Sequence, residues 1–149
     1  MRMVTIEAEP AALPVDLDRT AVVFIDMQRD FLEPGGFGDS LGNDVAQLAR
    51  TIAPCGALLR RARDLRMAVI HTREGHRPDL TDAPRAKLER GEPTARIGAA
   101  GPMGRILVRG ERGHEIVPAL APLPGEPVID KPGKGAFYAT DLDAILRNR

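Results

Sequence analysis

Three ionisable side chains stand at or just past the ends of short apolar runs in this sequence. Asp26 follows Ala21-Val-Val-Phe-Ile25, His71 follows Met67-Ala-Val-Ile70, and Lys131 follows Pro127-Val-Ile-Asp130. Open α/β sheets bind ligands beyond the carboxyl ends of their strands, so these are places to look for chemistry. An acid closing an apolar strand is partly desolvated, which favours its protonated form, whereas an ammonium beside it favours the carboxylate. Together such a pair activates a thiol: the carboxylate takes the proton and the ammonium stabilises the thiolate. Each residue also has a plainer reading. Asp26 has the type and place of a turn-former bonding the backbone amides of Met27–Asp30. Lys131 taken alone is a surface lysine at a loop entry, and His71 a strand-end residue satisfied by backbone. For Asp26 spacing alone does not choose between the two readings; for Lys131 and His71 taken alone, the plainer reading is preferred. Asp30 and Glu33 read as solvated or loop-stabilising.

Other chemistries find less support. The single cysteine, Cys55, falls near the start of an amphipathic helix and reads as a small packing residue, not a nucleophile. His71 and His76 are five apart across a glycine-containing loop with no cysteine beside them, so no metal site is expected. Gly98-Ala-Ala-Gly101 and Gly133-Lys-Gly135 do not have the spacing of a dinucleotide or phosphate loop.

The elements that must position Asp26 and Lys131 follow from pattern. Thr20–Asp26 is a short, continuous, β-branched run, which reads as a strand buried on both faces of a parallel sheet. Residues 1–19, broken by Pro10 and Pro14, read as irregular. Leu58, Leu59, Ala62 and Leu65 recur at helical spacing, with Arg60, Arg61, Arg63 and Asp64 on the other face and Pro54 in the first turn. Val45 and Leu48 belong to a separate, earlier turn. A second strand, Met67–His71, completes a βαβ unit whose strands should be parallel. Residues 73–125 carry many glycines and prolines, with only a strand-like piece at Arg105–Arg109 and a helical turn near Glu115–Leu120. Ile97, Ile106, Leu107, Val108 and Ile116 argue that this stretch packs rather than forming a disordered linker. Pro127–Asp130 is a third strand candidate, and Thr140 can cap a helix over Asp141–Leu146. A further strand is expected after that helix, and a sheet closed without it has an uncovered edge.

Composition narrows the class without naming it. The chain has 149 residues, which suits one domain with a core of its own. Lys plus Arg and Asp plus Glu are both 21, so charge does not steer the protein toward nucleic acid or acidic lipid. A neutral surface is a weak pointer to self-association. One cysteine allows no intrachain disulfide and suits a reducing, cytoplasmic setting. Met1–Asp18 lacks the apolar stretch of a signal peptide, and no run approaches membrane-spanning length.

Four blocks, in order, resemble a known family. Phe24-Ile-Asp-Met-Gln-Arg-Asp-Phe31 is similar to the first-strand motif of the isochorismatase-like cysteine hydrolases. Ile70-His-Thr-Arg-Glu-Gly-His-Arg-Pro-Asp-Leu80 resembles the second-strand motif of the branch containing biuret and ureide hydrolases. Gly101-Pro-Met-Gly-Arg-Ile-Leu-Val-Arg-Gly-Glu111 looks like that branch's middle loop. Val128-Ile-Asp-Lys-Pro-Gly-Lys-Gly-Ala-Phe137, followed by Ala139-Thr-Asp-Leu142, looks like its lysine motif. The resemblance implies a Rossmann-like three-layer α/β/α fold with a mainly parallel sheet. It also implies a Cys–Asp–Lys triad in which Asp26 and Lys131 are the catalytic acid and lysine. Lys134 matches a second lysine expected to hold substrate, and Phe31 an aromatic close to the site. Arg73 is a further candidate for holding polar ends of the substrate. The family's nucleophile lies in a Gly-Val-Thr-Thr-Asp-Val-Cys-type segment after the next strand, together with an oxyanion hole built around a non-proline cis peptide. No segment here matches it. The domain over 1–149 is therefore expected to lack its C-terminal strands. The implied reaction is hydrolysis of a non-peptide C–N bond in a small urea-like substrate (biuret, ureidoacrylate or an N-carbamoyl compound), with no cofactor, in a dimer or tetramer. Two alternatives stand beside it: a non-catalytic fragment or subunit completed by a partner, and isochorismate-type vinyl-ether hydrolysis needing no cysteine.

Overall fold

A computed structural model describes residues 1–149. The chain opens with an antiparallel hairpin, β1 (Met3–Ile6) and β2 (Leu13–Asp16), where the sequence reading expected irregular chain. Val4 faces Val15 and Ile6 faces Leu13, so β-branched pairing outweighs the flanking prolines, which sit in or beside the turn and at the edge. The first buried strand is β3 (Ala21–Ile25). Three short helices follow, α1 (Arg29–Leu32), α2 (Phe37–Ser40) and α3 (Val45–Ala49). Asp44 caps α3 by accepting from the Gln47 amide at 2.9 Å. The long helix α4 (Ile52–Asp64) has Pro54 in its first turn, as expected.

Strand β4 (Ala68–Glu74) runs parallel to β3 and extends three residues beyond the expected His71. Its extension is held on both sides. Arg73 pairs with Asp130 on the neighbouring strand, and the Glu74 amide donates to the Gln28 side chain at 2.7 Å. Helix α5 (Arg85–Leu88) and the two-residue strands β5 (Ala100–Gly101) and β6 (Gly104–Arg105) interrupt the long connection that follows. The expected strand over Arg105–Arg109 is not formed beyond Arg105. Leu107 adopts a positive φ of 50°, and Ile106, Leu107 and Val108 are buried as a packed loop. The expected turn near Glu115–Leu120 is a 3₁₀ turn at Pro118–Leu120. Strand β7 (Val128–Lys131) pairs parallel to β4, and α6 (Leu142–Arg147) closes the chain. Thr140 stands one residue before the helix cap; its hydroxyl accepts from the Leu142 amide at 3.3 Å.

The sheet order is β3-β4-β7, all parallel, with a helix on each face. On one face Leu59 and Ala62 of α4 pack with Phe24, Val69 and Leu120. On the other, Leu142 of α6 packs with Ile70 and Ile129, and Ala21 and Val23 border them. Strand alternation produces this split, since successive side chains point to opposite faces. Truncating Leu59 or Ile70, both essentially inaccessible, is expected to cost about 2–5 kcal/mol. The helical pattern placed Leu58 on the inner face, but it is 51% exposed; the buried stripe of α4 runs through Gly56, Leu59 and Ala62 instead. Arg63, expected outside, lies along the rim of the core and grips Glu126 at 2.7 Å. The strands and both helices form the three-layer α/β/α arrangement expected. No helix is long and apolar enough to cross a membrane.

Candidate active site

Parallel pairing brings the strand ends together. Asp26 leaves β3 with a φ of 54°, a left-handed turn that aspartate tolerates better than most residues. Its amide donates to the Thr72 carbonyl at 3.1 Å, and the Thr72 hydroxyl donates to Asp26 Oδ1 at 2.7 Å. The other carboxylate oxygen, Oδ2, accepts from Lys131 Nζ at 2.6 Å. Residues 105 apart in sequence thus meet because each closes a strand flanking β4.

Lys131 is buried in full, with a side chain only 1% exposed. A lone buried ammonium would be prohibitively unfavourable; it needs paired charge and hydrogen bonds. Asp26 supplies the first, the Gly133 carbonyl accepts a second hydrogen at 2.9 Å, and Glu74 Oε2 lies 3.9 Å away. Glu74 is itself held by Lys87, whose Nζ donates to Oε1 at 2.8 Å. Asp26, Lys131, Glu74 and Lys87 therefore form a chain of alternating charge with no net excess. Thr72, Glu74 and Lys131 alternate onto the α6 side of the sheet with Ile70 and Ile129. A carboxylate fixed by an ammonium and a hydroxyl, at the carboxyl end of a parallel sheet, can take up a proton while the ammonium balances new negative charge.

A cavity of about 340 Å³ adjoins this chain at Glu74 and Lys87. Phe31, Phe37, Leu107 and Ile97 supply its apolar wall, and Arg90 and Lys134 stand at its polar side. The Phe31 and Phe37 rings meet edge to face at 6.3 Å. Phe31 and Lys134, both expected near the site, thus share one cavity. Arg73 does not join them. It projects from the α4 side of the sheet, where Nε and Nη2 donate to Asp130 at 2.7 and 2.9 Å. His71 is likewise on that side, mid-strand rather than at a strand end. It is stacked on Phe24 and bonded to Glu126 at 3.1 Å, so a side chain rather than backbone satisfies it. Burial holds the His71 ring below the usual imidazole range, with Glu126 opposing. His76 bonds Asp82 at 3.2 Å, so the two histidines have separate partners. Cys55 packs against the core beneath α4, across the sheet from the Asp26–Lys131 contact.

Asp30 is the largest departure from expectation at the site's edge. It is 2% exposed, not solvated, and its two oxygens accept from the Phe37 and Leu107 amides, each at 3.2 Å. Burial raises its proton affinity, and the two amides oppose that. It thereby joins the α2 entry to the cavity wall. Gln28 does similar work: its amide nitrogen donates to the carbonyls of Glu74 and His114 at 3.0 and 3.1 Å. Sequence reasoning missed Gln28, Thr72, Glu74, Lys87 and Arg90. The alternation Ile70, Thr72, Glu74 would have signalled two of them had the strand been extended.

A three-layer parallel α/β domain with an Asp–Lys contact at its carboxyl edge defines a hydrolase-like class. Comparison supplies the family. Residues 20–149 match the isochorismatase domain, and the chain belongs to the isochorismatase family. It is 31% identical to the ureidoacrylate amidohydrolase RutB of Caulobacter segnis, across 98% of this chain and 63% of that protein. Among solved structures it resembles a cysteine hydrolase from Pseudomonas syringae pv. phaseolicola, with a TM-score of 0.70 and 31% identity, covering 91% of this chain and 57% of the other. It also resembles N-carbamoylsarcosine amidase from Thermoplasma acidophilum, with a TM-score of 0.59 and 25% identity, covering 86% of this chain and 60% of that one. The chain thus spans less than two thirds of the length of each of these relatives.

Proposed function

We propose that these residues form the Asp–Lys half of a cysteine hydrolase that cuts a non-peptide C–N bond in a small urea-like compound, such as biuret, ureidoacrylate or an N-carbamoyl compound. The observation that carries the reading is the 2.6 Å contact between Lys131 Nζ and Asp26 Oδ2 at the open carboxyl end of the sheet. The likeness to ureidoacrylate amidohydrolase and N-carbamoylsarcosine amidase supports the substrate class.

In this reading the nucleophilic thiol lies outside the 149 residues. It approaches along the free edge of β3, where Ile25 is 60% exposed beside Asp26. Asp26 accepts the thiol proton, and Lys131 stabilises the thiolate. Sulfur attacks the urea-type carbonyl, backbone amides hold the oxyanion, and the C–N bond breaks as the proton passes from Asp26 to the departing ammonia or amine. Water then cleaves the thioester, with Asp26 again taking a proton, and the thiol is restored. The test is ammonia release from biuret and ureidoacrylate by a chimera in which Arg149 is followed by the cysteine-bearing remainder of the amidohydrolase relative. The expected result is turnover by the chimera, none by the 149-residue chain, and a loss of roughly 10²-fold or more in Asp26→Asn or Lys131→Gln. Ammonia release by the chain alone that survives Cys55→Ser would sink the cysteine mechanism. Because the Asp–Lys contact is complete within the chain, vinyl-ether hydrolysis of isochorismate is the second reading; turnover of isochorismate by the chain alone would favour it.

A further inference from the structure

Two carboxylates face one buried ammonium at the site. Lys131 Nζ carries three hydrogens. Two are placed, on Asp26 Oδ2 at 2.6 Å and on the Gly133 carbonyl at 2.9 Å, and the third meets no acceptor at hydrogen-bond distance. The second carboxylate, Glu74, stops with Oε2 3.9 Å away. Glu74 and Lys131 are register partners across β4 and β7, so their backbones lie side by side and a side-chain rotation is enough to join them. Gln28 pins the Glu74 backbone, donating to its carbonyl at 3.0 Å and accepting from its amide at 2.7 Å. The Glu74 side chain is held aside by Lys87, whose Nζ donates to Oε1 at 2.8 Å and to the Pro132 carbonyl at 3.0 Å. The contact is sheltered, with the Glu74 and Lys87 side chains only 12% and 24% exposed. Lys87 belongs to α5, no residue of which is buried, so packing contributes little to seating that helix.

We infer that Lys87 is a positioning residue for Lys131. By drawing Glu74 aside, it leaves the third ammonium hydrogen free to meet negative charge that develops beside Asp26. Without Lys87, an unpaired and partly desolvated carboxylate would turn to the adjacent ammonium, because such a charge gains most from a cation that also donates a hydrogen bond. Lys131 would then be shared between Asp26 and Glu74. A third anion forming there would meet two carboxylates balanced by one cation, and like charges disfavour its ionised form. The inference rests on the reading of Lys131 as the cation that stabilises a thiolate. It adds that α5 must be seated for that cation to be available.

Crystal structures of the 149-residue chain, of Lys87→Gln and of Lys87→Arg test the geometry separately from catalysis. In Lys87→Gln, Glu74 is expected to close on Lys131 to about 2.8 Å, whereas Lys87→Arg should still hold it away. Glu74 staying apart from Lys131 in Lys87→Gln, or turning to solvent, would overturn the inference. The functional part is read as turnover by the chimera that carries the cysteine-bearing remainder. There Lys87→Gln should lower kcat roughly tenfold with KM changed less than about twofold, and adding Glu74→Gln should restore most of that loss. Lys87→Arg should keep most of kcat, and unchanged circular dichroism confirms that the variants fold. A double variant no better than Lys87→Gln would make Lys87 a structural pin for α5, and a loss confined to KM would make it a substrate contact; either result overturns the inference. If Glu74 closes on Lys131 in the crystal yet the chimera hydrolyses no urea-like compound, the positioning of Glu74 stands and the proposed reaction falls. If the chimera turns over and Lys87→Gln leaves kcat unchanged, the reaction stands and the inference falls.

Discussion

The N-terminal hairpin and the loop from Met103 to Leu120 are opposites. The hairpin has regular strands with four paired positions, yet Met3, Val4, Ile6 and Leu13 are all exposed. The loop has two residues of strand and two short 3₁₀ turns, yet Met103, Ile106, Leu107, Val108, Val117 and Leu120 are buried. Regular hydrogen bonding and burial are separate achievements. A strand pair satisfies its backbone wherever it lies, whereas a buried loop needs side chains to do so. Asp30 and Gln28 fill that need here. Their side chains receive or donate to the backbone at Phe37, Leu107, Glu74 and His114, and so hold one wall of the candidate site.

That contrast can be broken experimentally. The largest effect is expected from Asp30→Ala, which strips one buried and one partly buried amide of their acceptor. The loss should be about 3 kcal/mol or more by urea unfolding, with Asp30→Asn milder. Gly113 shows how closely the carboxylate is seated: a β-carbon there would run into it. A stability change below about 1 kcal/mol in Asp30→Ala would mean the loop is held by packing alone.

A smaller effect is expected from pH. Burial holds His114 below the usual imidazole value, at about 4, and also lowers His71 and His76. The unfolded chain takes up protons near its ordinary value of about 6.5 while the folded chain resists, so stability should fall as pH drops from about 6.5 toward 4. The loss across that window should be on the order of 2 kcal/mol, and His114→Gln should flatten part of it. Below it a second loss begins. The Arg63 guanidinium, with the Leu123 amide and His71, holds Glu126 down at about 2, so its contribution fades as pH falls from the usual carboxylate range through that value. Constant stability from pH 7 to 4 would show that these rings take up protons as readily in the folded chain as in the unfolded one. The smallest effect is reserved for the hairpin. Val4→Thr and Ile6→Thr should change stability by no more than about 0.5 kcal/mol. A larger loss would mean that the hairpin's apolar face is covered in solution, and sedimentation would then reveal association.

What the sequence determined by itself is what local pattern and spacing can encode. Continuous β-branched runs marked β3, β4 and β7, helical spacing marked α4, a capping threonine marked α6, and the ends of two strands marked Asp26 and Lys131. The four ordered motifs carried the family, and the matched isochorismatase domain agrees with it. The hairpin was lost because Pro10 and Pro14 outweighed a short apolar alternation that pays off only in pairs. The end of β4 was misplaced because its last residues are polar, and their strand state depends on Asp130 and Gln28 from elsewhere in the chain. For the same reason Arg73 looked like a ligand-binding residue, although its partner across the sheet already holds it. Tertiary structure alone decided that Lys131 is buried against Asp26, that Glu74 and Lys87 extend the pair, and that Arg90 and Lys134 are left unmatched at one cavity. Those facts concern which charges meet. Meeting is set by strand register and sheet face across long sequence separations, and no window of neighbouring residues contains it.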